Sequence, residues 1–165
     1  MARRVFYSFH YMADNWRASQ VRNMGVVEGN RPATDNDWET VKRGGDAAIK
    51  KWIADQMFGK SCTVVLIGRE TAGRKWINHE IVESWNQRMG VLGVHVHNLK
   101  DSAGNTSWQG SNPFDGITVA GRPLLNIVPV YDPPGYFWDS TSYYKAIKDN
   151  LAGWIEEAIR IRQQY

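Results

Sequence analysis

The run "CTVVLIG", residues 62–68, constrains the fold of this chain more than any other stretch, because it is nearly unbroken in apolar character. A half-exposed strand alternates apolar and polar residues, whereas a short continuous run marks a strand covered on both faces, as in a parallel sheet. "RVFYSF" at 4–9 and "VLGVHV" at 91–96 have the same β-branched and aromatic character. "LLNIVPVYD" at 124–132 reads as a last strand, which Pro129 demotes towards an edge.

Helical patterns separate these runs. "HYMADNWRASQVRNMG" carries Asp14 or Asn15 as a cap before Trp16, Val21 and Met24. "DNDWETVKR" looks helical, Gly44 and Gly45 interrupt it, and Asp46 can cap a second piece through Ile49, Trp52, Ile53 and Met57. "AGRKWINHEIVESWNQRMG" predicts a helix ended by Gly90, and "YYKAIKDNLAGWIEEAIRIRQQY" a closing helix with Gly153 as a candidate break. Between the last two strands, "HNLKDSAGNTSWQGSNPFDGITVAGRP" is too long for an ordinary connector, and loops of that length are disordered or functional.

This βα alternation with about five strands predicts an α/β, flavodoxin-like three-layer sandwich, mainly parallel, with strand order 2-1-3-4-5 favoured. In such sheets ligands sit beyond the carboxyl ends of the strands, at the switch point between strands one and three. Here that point brings "SFHY" towards "GRETAGRKW".

A chain of 165 residues reads as a single domain, 1–165, that buries roughly 70% of its unfolded surface without disulfides or metals. Its formal charge is only +3 and it has no run of five like charges, so neither nucleic acid nor any other polyelectrolyte is implied. The lone Cys62 lies in the apolar run and reads as a buried small hydrophobe. With no signal-type segment and no apolar span near the ~20 residues a membrane helix needs, the expectation is a cytoplasmic protein with no membrane partner. Eight Trp, seven Tyr and five Phe are enough to supply a core and also to stack on flat ligands.

Glu80 follows Trp76 by four positions and precedes Ile81, so on a helix it shares Trp76's face and borders the apolar one. On its residues alone it still reads first as a glutamate on a solvated face. Glu83 is rotated about 60° from it and reads as surface. Ser8 can donate a hydrogen bond. Phe9 suits a stacking surface or the core equally, and His10 a phosphate or ribose contact. "GRETAG" at 68–73 lacks the ending of a phosphate-binding P-loop, so ATP hydrolysis has no support. His95 and His97 point to one side of their strand but lack a third ligand of suitable spacing, so no metal is expected. "NPFD" at 112–115 is either a turn with Phe114 in the core or, through Asn112 and Phe114, part of the pocket rim. "DPPGYFW" at 132–138 is a rigid turn and a candidate assembly surface.

"RRVFYSFHY", "WRASQVRN", "TVVLIGRETAGRKWINHEI" and "NPFD", in that order, resemble the TIR-like family of bacterial Thoeris antiphage defence, the ThsB-like proteins. The resemblance covers most of residues 3–116 and is less clear beyond. It implies that Glu80, in W-x-x-x-E, is catalytic in breakdown of NAD, a substrate here with no further cofactor. Ser8, Phe9, His10, Trp76, Asn112 and Phe114 are then the candidate contacts to NAD. Arg17 and Arg22 match a family block, yet each suits an ion pair that fixes a loop as well as a pyrophosphate contact. The chemistry agrees with a single carboxylate, because nicotinamide leaves a cation as a neutral molecule and requires no general acid. By analogy the product is a cyclic ADP-ribose-type signal for a separate effector protein. A phage-derived activator and homo-oligomerisation on activation are further partners to test. Two rivals share the scaffold: a nucleoside deoxyribosyltransferase-like enzyme, and a TIR-like module that only assembles.

Overall fold

The computed structural model describes residues 3–29, 40–133 and 140–165. Most of "DNDWETVKR" and residues 134–138 of "DPPGYFW" lie outside the described residues. Of the first, residues 40–43 are helical.

The main sheet contains β1 (Arg4–Ser8), β2 (Glu28–Gly29), β3 (Cys62–Ile67), β4 (Gly90–His95) and β7 (Val130–Tyr131), in the order β2-β1-β3-β4-β7. Every pairing in it is parallel. This is the expected 2-1-3-4-5 order, with β7 as the fifth strand. All six residues of β3 and all six of β4 are buried, as continuous apolar runs require. A small antiparallel hairpin, β5 (Thr118–Val119) with β6 (Arg122–Pro123), stands apart.

Among the described residues the sheet is covered by α1 (Tyr11–Arg22), α2 (Gly45–Met57), α3 (Lys75–Asn86) and α4 (Ser140–Arg162). Alternation along the strands sorts the core into layers. Val5, Tyr7, Val64, Leu66, Leu92 and Val94 pack with α1 and α4. Val65, Ile67 and Val91 pack with Ile77, Ile81 and Trp85 of α3, while Phe6 packs with Ile49, Ile53 and Met57 of α2. Cys62 is fully buried, and burial pushes its thiol pKa up, so it acts as a small apolar side chain.

Several local expectations are corrected. His10, not Asp14 or Asn15, caps α1, its Nδ1 accepting from the Ala13 amide at 3.2 Å. Asp46 makes no cap; its carboxylate instead meets Lys75 Nζ at 2.6 Å and links α2 to α3. α3 stops before Gly90, which opens β4; a side chain there would meet the Ile159 backbone at 2.8–2.9 Å, so Gly90 lets α4 approach the sheet. α4 runs unbroken through Gly153, because Tyr143, Ile147, Leu151, Ile155 and Ala158 form one buried stripe whose packing outweighs a single glycine. The "LLNIVPVYD" segment is strand only at Val130–Tyr131 and begins as a 3-10 turn, Leu124–Asn126.

No described helix is long and apolar enough to cross a membrane.

Candidate functional site

β1 delivers Ser8, fully buried, to the carboxyl edge of the sheet, where it stands in register with Val65 of β3. α3 starts from the loop after β3 and carries Glu80 to the same edge. Ser8 Oγ donates to Glu80 Oε1 at 3.4 Å, so the two residues expected at the switch point do meet. At that length the bond is weak and leaves the carboxyl with acceptor capacity to spare.

Glu80 is half-buried, and removal of its carboxyl from water raises its pKa from 4.5 to about 8, against a smaller downward pull from the Ser8 hydroxyl. It stays so placed because α3 is tied to β3 one turn further on. Ser84 Oγ lies 2.6 Å from both the Glu80 carbonyl oxygen and Thr63 Oγ1, and both hydroxyl residues are fully buried. A carboxyl in such surroundings responds strongly to a positive charge brought beside it, since the cation restores what burial removed.

The other candidates fall into different roles. Trp76 shares Glu80's side of α3, packs against the cluster around Phe6 and Met57, and meets His79 edge-on at 5.7 Å. Phe9, directly after Ser8, is partly buried and leans on the core of the opposite face, with α1 and α4. His10 spends Nδ1 on capping, which leaves its proton on Nε2, directed away from that bond. Asn112 Oδ1 accepts from the Phe114 amide at 2.9 Å, closing a local turn. Phe114 corrects the pocket-rim expectation: it is fully buried with Val65, Ile67 and Ile81, and an apolar ring at the base of a long loop is most stable there.

Arg17 takes the loop-fixing role. Its guanidinium donates to Leu99 O at 2.8 Å, Asn105 O at 3.0 Å and Asp14 Oδ1 at 3.0 Å. Asp14, expected as a cap, is thus its buried partner, and spacing i, i+3 on a helix was a readable signal for that pair. Thr71, whose hydroxyl accepts from the Gly68 amide at 2.8 Å and shapes the turn after β3, had no such signal.

His95 and His97 are buried and meet edge-on at 5.6 Å, with burial lowering both pKa values. Tyr143 closes this group, donating to His95 O at 2.6 Å and lying 3.1 Å from Asp132 Oδ1. Among the described residues no cluster of three or more His, Cys, Asp or Glu could hold a metal. A recess of about 580 Å³ lined by Met57, Phe58, Glu83, Gln87 and Met89 borders the amino ends of β3 and β4, away from Glu80. Glu83 is there and accepts from Gln87 Nε2 at 2.9 Å.

The sequence profile described as "Thoeris protein ThsB, TIR-like domain" matches residues 6–101, a span that includes Ser8, Arg17 and Glu80. A Bacillus cereus (strain MSX-D12) protein named "Putative cyclic ADP-D-ribose synthase ThsB1" is 38% identical over 120 residues, which is 70% of this chain. The match spans 62% of that relative's own length. The profile match extends over more than half of the sequence, through the strands and helices that build the Ser8 and Glu80 edge. The chain belongs to the TIR-like domain family of Thoeris ThsB proteins.

Proposed function

We propose that the chain is an NAD-consuming enzyme of antiphage defence that breaks the nicotinamide–ribose bond and passes the ADP-ribosyl group into a cyclic ADP-ribose-type signal. The observation that supports this most is the Glu80 carboxyl held against Ser8 at the carboxyl edge of the central strands. The name of the Bacillus cereus relative points to the same product class.

In this reading the carboxyl stands beside the ribose of bound NAD. The cationic nicotinamide ring draws the Glu80 pKa down, so the carboxylate forms where positive charge is about to develop. The carbon–nitrogen bond breaks, its electron pair neutralises the pyridinium nitrogen, and nicotinamide leaves without needing a proton. Glu80 stabilises the oxocarbenium charge left on the anomeric carbon. A nucleophile within the ADP-ribose itself, or water, then bonds to that carbon and loses a proton. Closing the ring requires the internal nucleophile to outrun water, which a closed pocket favours.

The signal's target is a separate effector protein, and activation involves a phage-derived trigger with self-association. The test is incubation of the protein with NAD in lysate from phage-infected and uninfected source cells, followed by mass analysis. The reading expects free nicotinamide and an ADP-ribose derivative lighter than linear ADP-ribose by one water. Turnover of nucleosides but not NAD would favour the deoxyribosyltransferase-like alternative; self-association with no turnover of either would favour the assembly module.

A further inference from the structure

A buried ion pair in the first helix calls for an explanation beyond stability, because apolar residues of similar size usually pack as well or better. Asp14 and Arg17 are only 1% and 5% exposed. Arg17 also donates to the carbonyl oxygens of Leu99 and Asn105, both in the long segment 97–116 that follows β4. Gln20, one turn along α1, adds a bond to Lys100 O. Within the segment, Asp101 Oδ1 accepts from the Ala103 and Asn105 amides at 2.9 Å, and the Ser107 amide donates to His97 O at 2.8 Å.

The same segment touches the turn after β3 at its other end. A side chain added at Gly110 would come within 2.0 Å of Gly68 O, and one added at Gly68 within 2.0 Å of Asp14 Oδ2. Asp14, Gly68 and Gly110 are therefore stacked with no room for a methyl group between them. Asp14 Oδ2 has no hydrogen-bond partner and presses on the turn with its other oxygen held by Arg17. That turn leads straight into α3 and Glu80.

We propose that Arg17, braced by Asp14, is a positioning residue that seats the 97–116 segment on the 68–71 turn and so sets how tightly the pocket that bound NAD would occupy beside Glu80 closes. This rests on the NAD-cleaving reading of that pocket. Neither residue touches the reacting atoms. Their effect is on access of water and on the placement of the ribose, and hence on the share of ADP-ribose that is hydrolysed instead of cyclised.

The test uses the full chain under activating conditions, with NAD as the probe and Arg17→Lys and Gly110→Ala as variants. Lysine keeps the buried charge for Asp14 but gathers its donors on one nitrogen and loses the planar fork that meets the carboxylate and both carbonyl oxygens from three. Gly110→Ala lifts the segment at its far end without changing either side chain of the ion pair. Both variants are expected to lower kcat/KM by roughly 10- to 100-fold, the scale of a small misplacement of reacting groups. Both should also raise the share of linear ADP-ribose, with faster amide exchange across 99–107 in Arg17→Lys. Gln20→Ala, at the surface, should show the same trends more weakly and guards against loss of fold in the others. Unchanged kinetics and product ratio in folded variants would overturn the inference, as would unchanged exchange in Arg17→Lys. Lack of NAD turnover by the activated wild type would instead overturn the reading on which it rests.

Discussion

At neutral pH the Glu80 carboxyl is mostly protonated, because burial raises its pKa to about 8 and the Ser8 hydroxyl offsets only part of that. If the ionised form does the work, kcat/KM, which reports the free enzyme, should rise about tenfold per pH unit below 8 and level off above it. The kcat profile should turn at lower pH, since the cationic substrate favours the carboxylate. Ser8→Ala removes the bond that lowers the Glu80 pKa and should move the kcat/KM midpoint to higher pH; an unmoved midpoint would show that Ser8 does not address Glu80. The pairing of Ser8 with Glu80 was legible in the sequence because two short motifs flank one switch point. The fates of Phe9 and Phe114 were not. An aromatic ring suits a ligand or a core equally, and only the packing of α1, α4 and the 97–116 segment decides.

The elements legible in advance were those whose pattern is set by burial on both faces, namely β1, β3 and β4. β7 was legible as the edge strand that Pro129 announces, whereas β2, with two residues, is too short to carry a pattern. The hairpin β5–β6 was also missed. Its central residues, Ala120 and Gly121, have φ of 52° and 76°, and alanine does not announce a left-handed turn. Gly90 was read as a helix stop, yet its role is the contact between β4 and α4. Gly90→Ala should force the Ile159 backbone away and cost about 1–3 kcal/mol, lowering Tm by roughly 2–4 °C per kcal/mol. A melting curve that matches the wild type would show that α4 has slack there.

For the molecule as a whole, parallel strands joined by helices bring the ends of β1 and β3 together at a pole, and residues 72 positions apart meet there as Ser8 and Glu80. Five strands in this order were predictable from the alternation of apolar runs and helical patterns. The clamp through Arg17 was not, since nothing local says which carbonyl oxygens a guanidinium will find. Replacing Glu80 by glutamine tests the account at this scale, because it removes the charge and keeps the shape. The sign of the stability effect follows from the raised pKa. A carboxyl that ionises near 4.5 when unfolded and near 8 when folded costs stability progressively between those values, in full above 8. Glu80→Gln should therefore melt at the wild-type temperature or above it, increasingly so towards pH 9. The decisive measurement is nicotinamide release from NAD by activated wild type and by Glu80→Gln protein that melts no lower than the wild type. The variant is expected to lose on the order of 10²-fold or more in rate; release at the wild-type rate would show that the Glu80 charge does not drive the cleavage.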